Sequence, residues 1–231
     1  MYYSMNSIRL AGRVHTEPMY DHTVFGEAFY HMEIAAARLS GTDDILPVTV
    51  SERLLGDPEV NSCDAGAPIS VSGQIRSYNL REGERNRLII TVFARDVGFP
   101  QGGALPFDDE DGDQEGAEDG VPEGEPMRRD VNEAELCGAV CKPVIYRTTP
   151  FSREIADVLI AVNRRYGKSD YLPCIAWGRN ARFAAGLEVG DRILVRGRMQ
   201  SREYQKKLPD GTAEQRTAYE ISCSSIERRE Y

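Results

Sequence analysis

Between Asp170 and Arg179 the sequence reads Asp-Tyr-Leu-Pro-Cys-Ile-Ala-Trp-Gly-Arg. With the two-residue period of an extended strand, Tyr171, Pro173, Ile175 and Trp177 fall on one side. Leu172, Cys174 and Ala176 fall on the other and suit a closed core. The rings then point outward, where bulky apolar surface needs a use. A second alternation runs from Arg192 to Tyr204. Arg192, Leu194, Arg196, Arg198, Gln200, Arg202 and Tyr204 share one face, and Ile193, Val195, Gly197 and Met199 the other. Arg164, Arg165, Tyr166 and Lys168 form a further basic-aromatic cluster. Rings interleaved with guanidinium groups suit a single-stranded nucleic acid. Every base offers a π-face, and stacking contributes about 1–3 kcal/mol per base without reading sequence. Cations meanwhile neutralise phosphates and release counterions. The same rings would also serve as a surface covered by a partner subunit.

These residues must be held by strands. Ile8, Leu10, Gly12 and Val14 alternate with Arg9, Ala11 and Arg13, the pattern of a half-buried strand. The period returns at Leu46-Val48-Val50, Ile69-Val71-Gly73-Ile75 and Ile90-Val92-Ala94. A short helix is expected over Arg179–Ala185, stopped by Gly186. Gly73 and Gly197 lie inside strands, where a small barrel bends sharply.

The motifs occur twice. At an offset of 126, Asn6-Ser-Ile-Arg-Leu-Ala-Gly-Arg-Val14 meets Asn132-Glu-Ala-Glu-Leu-Cys-Gly-Ala-Val140, and Asp44–Val50 meets Asp170–Ala176. After a two-residue slip, Ser70–Ile75 meets Leu194–Met199. Five strands with a helix between the third and fourth is the order of an OB-type barrel. The expected architecture is therefore all-β: two five-stranded Greek-key OB barrels, over residues 1–98 and 131–231. Residues 99–130 are rich in Gly, Pro, Asp and Glu and are expected to be a flexible acidic linker.

The net charge of −9 conceals an uneven distribution. Residues 1–98 carry 9 basic and 13 acidic side chains, residues 99–130 carry 2 and 11, and residues 131–231 carry 17 and 13. The last segment is net basic, and local charge is what a polyanion senses. Five cysteines without a CxxC pair argue against a disulfide framework or a zinc site, and they are expected to be reduced core residues. No metal or cofactor is expected. No G-x-x-x-x-G-K-[ST] loop, acid pair or triad is evident, so an enzyme is not expected. No run of eighteen apolar residues occurs, and the N-terminus does not read as a signal peptide. No membrane partner is expected, and the default location is the cytoplasm.

The second copy, from Asn132 to about Ile226, resembles the bacterial single-stranded DNA-binding proteins. The resemblance rests on the N-x-x-x-L-x-G-x-V start, Leu159-Ile-Ala-Val-Asn-Arg164, Asp170–Arg179 and Gly190–Tyr204 taken together. It implies single-stranded DNA binding without catalysis, assembly around four OB folds, and base stacking on Tyr166, Tyr171, Trp177 and Tyr204. Arg164, Arg165, Lys168, Arg179, Arg196, Arg198 and Arg202 complete the expected DNA face. A homodimer would present four barrels, and replication or repair proteins are possible partners. The family usually recruits partners through an acidic tail closing on Pro-Phe, whereas this sequence closes Ile226-Glu-Arg-Arg-Glu-Tyr231. Leu105-Pro-Phe107, followed by acidic residues, carries similar residues but is internal and lacks a terminal carboxylate, and it is expected to be a solvated spacer.

The first copy keeps the core pattern and lacks the platform: Tyr166, Tyr171 and Trp177 align with Ser40, Ile45 and Ser51. It is expected to serve assembly or a weaker site. A fragment beginning near Met127 is expected to keep most of the binding. The alternative function is a primosome-like accessory or scaffold module that binds proteins.

Overall fold

The computed structural model describes residues 5–38, 40–56, 63–82, 85–100, 130–207 and 211–229. Strands β1 (Asn6–Val24), β2 (Glu27–Ala37), β3 (Asp43–Ser51), β4 (Pro68–Glu82) and β5 (Arg85–Gly98) form the first unit, with a one-turn helix α1 (Glu52–Leu55) after β3. Antiparallel pairs β1–β2, β2–β3, β4–β5 and β1–β4 and a parallel β3–β5 contact close these strands into a barrel. The second unit holds β6 (Val131–Val140), β7 (Ile145–Thr148), β8 (Glu154–Asn163), β9 (Ser169–Trp177), α2 (Arg179–Ala184), β10 (Arg192–Lys207) and β11 (Ala213–Arg228). It closes the same way, through β6–β8, β8–β9, β10–β11, β6–β10 and parallel β9–β11. Both halves are OB-type barrels, as the strand order predicts. One difference is local. Where β1 runs unbroken into β2, the second barrel stops at Val140 and resumes as β7 beside β8, with Lys142-Pro143 in the gap. A proline has no N–H to give a ladder.

Alternation fixes each strand's inner face. Ile8, Leu10, Val14, Leu46, Val48, Val50, Ile69, Val71 and Ile75 are buried in the first barrel, and Leu136, Leu172, Cys174, Ala176, Ile193, Val195 and Met199 in the second. The strand glycines mark close approach of two backbones. A Cβ on Gly73 or Gly197 would drive into the carbonyl of Phe93 or Ser222 on the neighbouring strand. Cys137, Cys174 and Cys223 are buried, while Cys63 and Cys141 are half-buried, so core filling describes three of the five thiols. The Cys174 thiol is held well above its usual range, first by its hydrogen bond with Cys223 and then by burial.

The barrels are joined edge to edge. β1 and β6 pair antiparallel, with Ile8 opposite Ala134, Ser7 opposite Glu135 and Arg9 opposite Glu133. Ile8 and Ala134 are equivalent at the 126-residue offset, so a pseudo-two-fold axis passes between them. All the strands thus belong to one continuous sheet. The expected linker coincides almost wholly with residues 101–129, which lie outside the described residues.

The axis repeats a buried ionic cluster. Asp170 is fully buried; its Oδ1 accepts from the backbone N–H of Ser77, and its Oδ2 lies 3.1 Å from both Arg76 and Arg164. Its counterpart Asp44 accepts from the N–H of Ser201 and pairs with Arg38 and Arg198. Each aspartate therefore ties its own barrel to β4 or β10 of the other. A buried carboxylate persists only when charge and hydrogen-bond partners replace its water. Both clusters supply them.

Candidate nucleic-acid interface

Strand β9 presents Tyr171 and Trp177 outward, 45% and 41% exposed, with Pro173 half-buried between them. Ile175, expected on the same open face, is only 7% exposed. It lies on the outward side between Asp157 of β8 and Ser222 of β11, where the sheet is continuous on both flanks. Tyr166 stands in the tight turn between β8 and β9 with φ +63°, followed by Gly167 at +68°. This left-handed pair throws the ring outward, and it is 96% exposed. Tyr204, near the end of β10, is 37% exposed, with the Arg202 guanidinium 5.8 Å from its ring centre.

The cations divide into two groups. Arg165, Lys168 and Arg179 are exposed. Among the described residues no carboxylate pairs with Arg165, Lys168 or Arg179. Arg202 has only a 3.7 Å approach to Glu220. The other three are engaged. Arg164 sits on Asp170, Arg198 on Asp44, and Arg196 bridges Glu135 at 2.9 Å and Glu227 at 2.8 Å. The outward row on β10 is likewise interrupted. Leu194 is buried and Gln200 nearly so, because β10 crosses from β6 onto the first barrel.

The hairpin β7–β8 adds rings that alternation along β9 and β10 does not reveal. Tyr146 and Phe151 are exposed there, beside Arg147 and Arg153. The aromatic-arginine interleaving of Tyr146-Arg-Thr-Thr-Pro-Phe-Ser-Arg153 is its sequence signal. Tyr146 donates to Glu154 at 2.7 Å, which raises the phenol pKa. Trp177 pairs with Ile155 at the base of this hairpin.

Among its described residues the first barrel shows no equivalent platform. Pro47, Thr49 and Ser51 occupy the outward positions of β3 and are buried, with Thr49 and Thr91 sharing a 3.0 Å hydrogen bond. Its rings gather instead on the β1–β2 hairpin. Phe29 stacks on His22 at 5.1 Å and lies 5.7 Å from Phe93, while Phe25 stands free at the tip. The surroundings include Asp21 and Glu27, and Glu27 pairs with Arg53. Tyr78, on β4, is also exposed, and burial raises its pKa, helped by Asp21.

A closed five-stranded barrel with exposed rings on one face, joined to a copy of itself whose β3 lacks the rings of β9, defines a tandem OB-type protein. Residues 131–229 match the model of the Single-strand binding protein family. Single-stranded DNA-binding proteins 1 and 2 of Staphylococcus aureus (strains COL and MSSA476) are each 30% identical over 106 residues. That alignment covers 42% of this chain and 60% of the relative in each case. The chain thus spans 60% of the length of the curated relatives it matches. The crystal structure of the wild-type single-stranded DNA binding protein from Thermus aquaticus has a TM-score of 0.69 at 19% identity, covering 100% of this chain and 95% of that one. At that identity the likeness is one of fold, and it extends to the two-barrel arrangement as a whole.

Proposed function

We propose that this chain binds single-stranded DNA without sequence preference and protects or organises it during replication, repair or recombination. It acts by binding, not by catalysis, in the cytoplasm. One observation carries the reading: Tyr166, Tyr171 and Trp177 are exposed on one barrel together with Arg165, Lys168 and Arg179, which have no carboxylate partner among the described residues. The aligned positions of the other barrel hold Ser40, Ile45 and Ser51. Core requirements are common to both barrels, so the rings answer to something else. Two chains would present four barrels, a homodimer being the assembly we favour. The names of the staphylococcal relatives support the same reading.

A second reading has its own support. The β1–β2 hairpin exposes Met19, Tyr20, Val24 and Phe25, a surface suited to a protein partner in a scaffold or primosome-like role. Replacing Tyr171, Trp177 and Tyr204 together by Ala separates the two. Loss of oligo(dT) binding with an intact fold supports DNA binding. Unchanged DNA affinity with altered self-association or partner capture supports the scaffold.

A further inference from the structure

The junction between the barrels contains a cleft of about 790 Å³, within the size range of functional sites. The first barrel supplies Gln74, Arg76 and Arg95 to its wall; the second supplies Arg164, Arg165 and Lys168, with Tyr166 at the edge. Among the described residues no acidic side chain lines it. Arg76 and Arg164 share the buried Asp170, which leaves a surplus of positive charge. Arg95, Arg165 and Lys168 make no ion pair with any described residue. A concave wall of one sign concentrates the field more than the same charges on a convex surface.

Arg95 owes its place to a backbone irregularity. It is the extra residue of a β-bulge in β5, between the pairs Ser72–Asp96 and Gly73–Ala94. Bulges re-aim a side chain away from the regular pleat. The second barrel has the same bulge in β11, between Arg196–Ser225 and Gly197–Cys223, and its extra residue is Ser224. The pseudo-symmetric positions are otherwise depleted too: Tyr166 and Lys168 correspond to Ser40 and Thr42. Arg38 and Arg198, the remaining cations there, are both held by Asp44. The junction is thus more strongly cationic on one side of its axis, where Arg95, Arg165 and Lys168 add to the arginine pair.

We propose that a strand held on Tyr171 and Trp177 continues past Tyr166 into this cleft, and that Arg95 of the first barrel binds its phosphodiester backbone. The first barrel then takes part in DNA binding as an electrostatic wall, without a stacking platform of its own. This rests on the DNA-binding function proposed above.

The test uses the full chain and a long oligo(dT) over a salt series. Arg95→Glu weakens binding about tenfold at low salt and lowers the log–log salt slope by about one. Arg95→Lys stays within about twofold of wild type, since a lysine also serves a phosphate as a point charge. Ser224→Glu, which places the same carboxylate at the pseudo-symmetric bulge, leaves affinity and slope unchanged. Quenching of Trp177 at saturation is the same in all variants. Wild-type affinity and slope for Arg95→Glu, tighter binding by it, or an equal loss in Ser224→Glu would overturn the cleft while leaving the platform standing. Absence of Trp177 quenching in the wild type would overturn the DNA-binding function and the cleft with it.

Discussion

At the scale of single residues, exposed rings and engaged arginines should behave differently when removed. Trp177 and Tyr171 are about half exposed, so truncation loses little packing. Trp177→Ala or Tyr171→Ala is expected to cost about 1–3 kcal/mol of oligo(dT) affinity, with an unchanged melting temperature. Fluorescence anisotropy with labelled oligonucleotide and thermal unfolding read the two effects separately. Asp170→Ala is expected to do the reverse. It strands Arg76 and Arg164 at the barrel junction and should cost about 3–5 kcal/mol of stability in urea unfolding. The rings were legible in the sequence because period-two alternation assigns them to a face without knowledge of the tertiary structure. The ionic roles of Arg164 and Arg198 were not, because their carboxylates are set by the docking of one barrel on the other. Ile175 followed the alternation and still became buried, since a strand with neighbours on both flanks covers its middle more than its ends.

At the scale of elements, glycine substitutions discriminate close backbone approach from mere turn preference. Gly197→Ala forces a Cβ into the Ser222 carbonyl, so a loss of about 1–3 kcal/mol or more is expected. Gly186→Ala meets only Phe183 O at 3.6 Å and should lie within about 0.5 kcal/mol of wild type. Denaturant titration of both variants checks this. The strand glycines and the short helix were readable from sequence. The helix expected over Arg179–Ala185 is observed as Arg179–Ala184. The break between β6 and β7 does not follow from alternation, although Pro143 marks it. Nor do the bulges at Arg95 and Ser224, since a one-residue insertion looks like ordinary alternation until its partner strand is known.

At the scale of the whole molecule, the repeat at offset 126 gave the two barrels but not their union. The β1–β6 pairing is tertiary and joins strands separated by the acidic segment. It also alters what a fragment should do. Residues 127–231 alone would leave β6 as an open edge and Asp170 without Arg76 and the Ser77 N–H. Self-pairing of β6 about Ala134 would set Glu133 against Glu135, whereas the intact chain offers Arg9 to Glu133 at 2.6 Å. The fragment should therefore unfold at lower urea than the full chain and bind oligo(dT) more weakly, a revision of the independent-barrel expectation. The most direct test of the account as a whole is the emission of Trp177, the only tryptophan in the chain, on titrating the intact protein with oligo(dT) at several salt concentrations. Saturable quenching is expected, with a midpoint that moves to higher concentration as salt rises. Unchanged emission at saturating oligonucleotide, with no gel shift at low salt, would contradict it.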